Sequence, residues 1–486
     1  MSPNQTVQYH NVDGKYLSQR KLRKSAGWVL LWALGVGAVI SGDYFGWNYG
    51  LAVAGFGGLL LATVIVAAMY VCMVYSIAEL SAALPHAGGF YSFTRNAFGP
   101  WAGYVVGVTD TIEYVITPAV IVVGIGGYLQ ELFPEIPVYL WWLLSYGLFV
   151  GINVRGVELT LKVGLAVTLL AILVLLIFYA GALANNAFEW SSVFNLPPDP
   201  GHSVFLPKGW YGVFAALPFA IWFYLAIEQL PLAAEETIDV VRDMPKALIT
   251  GIMTLLALSI LTLVLNTGVN GGASAIGASD APLADGFRAV FGSGATTTVL
   301  TLVALTGLIA SFHTIIYAYG RVLFALSRAG YFPPALSITG YKTHTPHRAL
   351  ILGALIGLGC ALLIDVFSAG LVGAALLNMA VFGAVISYAF VMFAYIQLKR
   401  KRPQLARPYL SPLGSGGAYL GAILALLSLI ATFAVPDYRP GVLGVAMFLL
   451  IALLYFWVHS SKRLVAQAPE EEVALILEAE KQLAHS

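Results

Sequence analysis

Charge is what this sequence has least of. Only 10% of its 486 residues are Asp, Glu, Lys or Arg, against 59% hydrophobic, too little polar surface to cover several water-exposed domains. Cysteine is nearly absent, and Cys72 and Cys360 both fall in apolar runs. The eight histidines make no ligand spacing, so neither a disulfide framework nor a structural metal is expected. No nucleophile, metal cluster or acid/base pair stands beside a cofactor motif, which argues against an enzyme and against any cofactor. Gly124, Gly126 and Gly127 follow no strand and so form no dinucleotide loop. The run Lys399-Arg400-Lys401-Arg402 borders an apolar segment, where it acts on topology and lipid headgroups rather than on nucleic acid. No cleavable signal pattern precedes the first apolar segment, which is expected to stay as a helix.

Long apolar runs are what the chain does have. A bilayer core of about 30 Å takes roughly 20 apolar residues per helical crossing, and such runs recur at 26–54, 57–84, 101–130, 137–154, 160–184, 210–236, 247–268, 295–325, 349–366, 371–398, 417–435 and 440–461. The expected fold class is an all-α polytopic membrane protein of about twelve transmembrane helices. Of the 25 Lys and Arg, all but Lys208, Arg288 and Arg439 fall in the N-terminal segment, the even-numbered loops or the tail. By the positive-inside rule both termini are cytoplasmic and the chain is a multi-pass protein of an inner (plasma) membrane. Residues 87–99 read as an amphipathic segment on the cytoplasmic surface. Loops 185–209 and 269–294 read as irregular outer connections. Pro469 followed by Glu470, Glu471 and Glu472 reads as the start of a solvated surface helix in the tail.

Two runs differ from the rest. The first contains Gly35, Gly37, Ser41, Gly42, Asp43, Gly46, Asn48 and Gly50; the sixth carries Pro218 and Pro231 around Trp222-Phe223-Tyr224-Leu225-Ala226-Ile227-Glu228. Interrupted segments at positions one and six point to a transporter of two five-helix inverted repeats with its substrate site where both helices break. The corresponding division is 1–25 N-terminal segment, 26–184 first repeat, 210–398 second repeat, 417–461 helices eleven and twelve, and 462–486 tail. The plain alternative, glycines serving close helix packing, gives no reason for the acid at 43.

Several blocks together resemble the amino acid, polyamine and organocation (APC) family: Ala78-Glu79-Leu80 with Leu84-Pro85-His86-Ala87-Gly88-Gly89-Phe90-Tyr91 and Phe98-Gly99-Pro100; Ala216 to Glu236 with Met244-Pro245-Lys246-Ala247; Gly320-Arg321 with Ala329 to Pro333; Thr345-Pro346; and Arg407-Pro408-Tyr409. Within it, Ile40 to Gly46, Glu113-Tyr114 and Thr117-Pro118-Ala119 look most like the ethanolamine permease branch. The resemblance implies a five-plus-five inverted repeat with broken helices one and six, alternating access, and a site lined by helices one, three, six and eight. It also places an aromatic gate at Trp222. The sequence departs from amino-acid-carrying members at Asp43, where they usually have glycine, at Ala226 in place of a glycine, and at Ala171 in place of a lysine that serves proton coupling in some members.

The substrate-binding candidates are therefore Ile40, Ser41, Gly42, Asp43, Tyr44, Glu113, Trp222, Phe223 and Tyr224, with Trp222, Glu228 and His313 as gating or coupling groups. An ionisable side chain in a span costs several kcal/mol unless it faces protein or water, so the acids at 43, 110, 113 and 228 call for partners. Asp43 either caps the second half-helix or presents a fixed anion to the substrate, and Trp222 or Tyr224 can cover a cation. His313 and Tyr317 share a face at i, i+4. The expected function is import of a small primary amine such as ethanolamine by a secondary active transporter. The alternatives are a zwitterionic amino acid or polyamine carrier of the same family, and, from another class, a receptor or channel. The sequence admits H⁺ or Na⁺ as a co-transported ion; membrane lipid is the other expected partner, and nucleic acid is not one.

Overall fold

The computed structural model describes residues 7–269, 271–292, 297–367, 371–436 and 439–471. Its helices are α1 (Gly14–Ser18), α2 (Trp28–Val39), α3 (Tyr49–Ala83), α4 (Gly89–Phe98), α5 (Pro100–Leu132), α6 (Val138–Arg155), α7 (Val157–Ala184), α8 (Trp190–Val193) and α9 (Gly209–Ala220). They continue as α10 (Val240–Thr267), α11 (Gly272–Gly277), α12 (Pro282–Phe291), α13 (Thr297–Arg328), α14 (His347–Val366), α15 (Leu371–Lys401), α16 (Gly414–Ala431) and α17 (Arg439–Val458). Two short strands, β1 (Tyr9–His10) and β2 (Leu464–Val465), pair in parallel.

Among the described residues ten helices are long and apolar enough to cross a bilayer. The chain is a polytopic all-α membrane protein. The broken first helix and α6 bring the crossings to the expected twelve. Gly55, at φ 69°, divides α3 into the end of the first crossing and the whole of the second; this left-handed turn is cheap only for glycine. The β1–β2 pair puts both ends of the described chain on one face, called here the terminal face.

Packing sets the breaks at the centre. α2 lies against α7, α10 and α13, α3 runs along α9, and α5 runs along both α13 and α15. The lipid-facing helices keep their large apolar side chains outward, as in Leu169, Leu170, Leu173 and Leu176 of α7, where hydrocarbon solvates them.

Three sequence expectations are corrected. The segment at 87–99 is helical, but α4 is covered by α5 and α15 and buries Gly89 to Ala97; its Arg95 and the Asn96 amide nitrogen bond inside the protein. Loop 269–294 is not irregular, because α11 and α12 occupy most of it; Pro282 sits at the first turn of α12, where a missing N–H costs nothing. The start of the tail is not solvated: Glu470 and Glu471 are fully buried. The helix expected beyond them lies outside the described residues.

Candidate substrate site at two helix breaks

α2 ends at Val39 and tightens into a 3₁₀ turn, Ile40–Asp43, before Gly46 at φ 94° lets the chain restart as α3. α9 ends at Ala220, passes through a 3₁₀ turn at Ile221–Phe223, and resumes as Ile227–Glu236 after Ala226, whose φ is 85°. An L-residue in that left-handed region costs roughly 1–2 kcal/mol, so surrounding contacts hold Ala226 in place. One of them is local: its N–H donates to Glu228 Oε1 at 3.1 Å.

The two breaks touch backbone to backbone. A methyl group built on Gly42 would overlap the Trp222 carbonyl, and one on Gly46 would press on the Trp222 indole. The indole lies 6.0 Å from the Phe45 ring, and Phe223 stacks on Trp47 at 5.4 Å. Ser41 is fixed to α13: its N–H donates to Ser311 Oγ at 3.1 Å, and Ser311 donates in turn to the Gly37 carbonyl at 3.0 Å.

Asp43 is fully buried and turned toward α10, where Thr262 Oγ1 donates to its Oδ1 at 3.0 Å; Oδ2 has no hydrogen-bond partner among the described residues. Three tyrosines, Tyr44, Tyr179 and Tyr224, lie within its electrostatic reach. Their hydroxyls are held in place by Ala171 and Thr306, by Thr262, and by Ser259 respectively. Ile40 and Tyr44 belong to the apolar cluster with Ala171, Val174 and Leu175 of α7, so they back the first break rather than face the second. Ala171 does face the first helix, and its carbonyl takes the Tyr44 hydroxyl at 2.9 Å. Tyr179 was missed by the sequence reading, because nothing in the spacing of α7 distinguishes it from lipid-facing aromatics.

On the other side of the breaks the Glu113 carboxyl faces that of Glu228. Neither Glu113 oxygen receives a hydrogen bond from another described residue. Glu228 is bonded by the Tyr388 hydroxyl, which itself accepts from Tyr70 at 2.9 Å, and Tyr70 packs on Tyr224 with ring centroids 5.3 Å apart. Pro118 cannot donate to the Tyr114 carbonyl, and the Thr117 hydroxyl donates to the Glu113 carbonyl at 2.6 Å, so α5 is loosened next to this acid. Asp110 sits beside Ser387 of α15. His313 is not brought to the breaks: its Nε2 meets the Thr160 carbonyl at 2.8 Å, and its ring lies 5.4 Å from Phe149. Tyr317, one turn on, bonds Glu236 instead.

Arranged this way, the breaks concentrate carboxyl groups. Asp43, Asp110, Glu113 and Glu228 are all buried, and none is bonded by a described Lys or Arg. The buried cations instead serve the terminal face. Arg321 pairs with Glu236 at 2.8 Å, Arg328 pairs with Glu235 and Glu470, and Arg407 pairs with Glu79 at 3.0 Å.

Residues 27–458 match the family model described as amino acid permease. The chain belongs to that family. The permease is 26% identical over 452 residues to an uncharacterized transporter of Rhizobium meliloti, covering 90% of this chain and 92% of the relative. It is 26% identical over 474 residues to the branched-chain amino acid permease BcaP of Bacillus subtilis, covering 91% and 94%. L-asparagine permease 1 of Mycobacterium bovis is 25% identical over 457 residues, covering 89% of each. Family membership makes the protein a membrane transporter and not an enzyme.

Proposed function

We propose that the permease imports a small primary amine, ethanolamine being the best fit, across an inner (plasma) membrane with both termini in the cytoplasm. The observation that carries this reading is the unbonded Oδ2 of Asp43, buried beside three tyrosines at the first helix break. An uncompensated buried carboxylate is expensive, and an ammonium ion offsets that cost while gaining aromatic faces. A substrate carboxylate would meet repulsion from the same group. In this reading Asp43 holds the ammonium, Trp222 and Phe45 close over it, and backbone groups of the two breaks take the hydroxyl. The repeats 26–184 and 210–398 alternate access around that point. The Glu113–Glu228 pair is the coupling candidate, since two facing carboxyls are stabilised by a cation, H⁺ among them, between them.

Amino acid transport is the second reading, favoured by the names of the relatives from Bacillus and Mycobacterium. Proteoliposome uptake by Asp43→Asn separates the two. Losing a desolvated charge pair costs about 2 to 5 kcal/mol, so the amine reading expects ethanolamine uptake to fall more than tenfold in a variant that remains folded. Retained ethanolamine uptake, or unaffected alanine uptake as the major activity, would reject it.

A further inference from the structure

On the terminal face the half-helix Ile227–Glu236 is pinned to the end of α13. Arg328 Nη1 donates to Glu235 Oε2 at 2.9 Å, and Arg321 Nη2 donates to Glu236 Oε1 at 2.8 Å. For the second break to open toward the terminal face, this half-helix must part from α13.

The tail lies across that joint. β2 is held by the Leu464 N–H on the Gln8 carbonyl at 3.2 Å and by the Val465 N–H on the Ala329 carbonyl at 3.0 Å. Gly330 packs so tightly on the Arg463 carbonyl that a methyl group there would overlap it. Beyond β2, Glu470 Oε1 accepts from Arg328 Nε at 3.1 Å and from Nη2 of the same guanidinium that holds Glu235. Its main-chain carbonyl accepts from Asn96 of α4 at 3.1 Å. Glu471 accepts from Arg95 of α4 at 2.7 Å, from Tyr9 and Tyr91 at 3.2 Å each, and from Tyr331 at 3.3 Å. Two acids in an otherwise exposed position for a chain end are thus fully buried and tie together four separate parts of the terminal face: the N-terminal segment, α4, α13 and, through Arg328, the half-helix of the second break.

We propose that segment 464–471 is a latch: docked, it holds the terminal face shut by adding Glu470 and Glu471 to the Arg328–Glu235 joint, and it must release before substrate leaves on that side. Without it Arg328 and Arg321 keep Glu235 and Glu236 as partners, but the joint loses its outer cover. The latch is independent of which substrate the permease carries.

The test uses Glu471→Gln, which removes the charge paired with Arg95, in the full chain, with a single reporter cysteine at Ala82, which borders the cleft on this face between Arg20, Glu235 and Arg328. Cys72 and Cys360 are replaced by serine in both arms. The rate of labelling by a membrane-impermeant maleimide, applied to the terminal face of reconstituted protein without substrate, should rise at least about threefold while the melting temperature stays within a few degrees. An unchanged rate in a folded variant overturns the latch. If the variant fails to fold, hydrogen–deuterium exchange on the unaltered protein decides. The latch requires the amides of 464–466 to exchange at the rate of 227–236, and tail amides that stay protected while 227–236 exchanges would overturn it.

Discussion

Gly42 lies directly beneath the main-chain carbonyl of Trp222, so the two broken helices meet through backbone with no side chain between them. Any Cβ at 42 has to push the breaks apart. Gly42→Ala is therefore expected to destabilise the protein by about 1–3 kcal/mol, the usual range for overpacking a tight contact, and to abolish uptake. Thermal unfolding and proteoliposome uptake check both parts. Wild-type values for each would mean that the breaks do not need this contact.

Trp222 covers Gly46 and neighbours Phe45 and, at 5% exposed, does not face lipid; the proposed site uses it as its lid. Trp222→Ala should leave a folded protein with severely reduced uptake, while Trp222→Phe should retain a measurable part. Equal loss in both variants would show that ring contact with Phe45 is not the function of this side chain.

At Ala226 the backbone asks for a residue the sequence does not supply. In a regular helix Ala→Gly costs about 1 kcal/mol, but at φ 85° glycine removes strain of similar size. Ala226→Gly should thus be neutral or stabilising by melting temperature. A loss of several degrees would contradict the strained turn.

Docking of the tail should depend on pH. Burial, opposed by Arg328 and reinforced by Glu235, pushes the Glu470 carboxyl up from its ordinary 4.5 to about 7; Oε2 carries no bond among the described residues and is free to hold the proton. Arg328 and Glu235 face it from α13 and the half-helix, Asn96 and Tyr91 from α4, Tyr16 from α1, and His86 stands beside Arg328 and Glu235. Burial lowers His86 to about 4, so it stays neutral and adds no compensating charge. The docked state binds the proton more tightly than the released state. Its extra stability is thus fully present below pH 4.5, is lost as pH rises to about 7, and changes little above that. The slope approaches tenfold per pH unit in the docking equilibrium. Maleimide labelling of the Ala82 cysteine, divided at each pH by the labelling rate of the unfolded protein to remove the thiolate's own pH dependence, should accelerate from pH 5 to 7, and this excess should vanish in Glu470→Gln.

How much of this was legible in the sequence depended on the kind of residue. Glycine and proline clusters at 35–50 and 218–231 announce where helices break, because their backbone freedom or missing N–H acts locally, and apolar run length announces the crossings. The direction in which Asp43 points was not legible. In a 3₁₀ turn successive side chains advance by three residues per turn rather than 3.6, so the rotation that turns Asp43 to Thr262 of α10 cannot be read from helical spacing. His313 and Tyr317 do share a face of α13, but the spacing does not say that two neighbours meet that face, Thr160 and Glu236 claiming one residue each. The buried tail was illegible for another reason. Its partners Arg95 and Arg328 lie 376 and 142 positions away, and acids at a chain end carry no local signal that they will be paired.

The amine reading requires that the carboxyls at the breaks select a cation over a zwitterion. Equilibrium binding of labelled ethanolamine to the purified permease, competed with unlabelled ethanolamine, alanine and asparagine, tests it directly. Ethanolamine is expected to compete at least about tenfold more tightly than either amino acid, a difference of about 1.4 kcal/mol. Tighter competition by alanine or asparagine than by ethanolamine would contradict it.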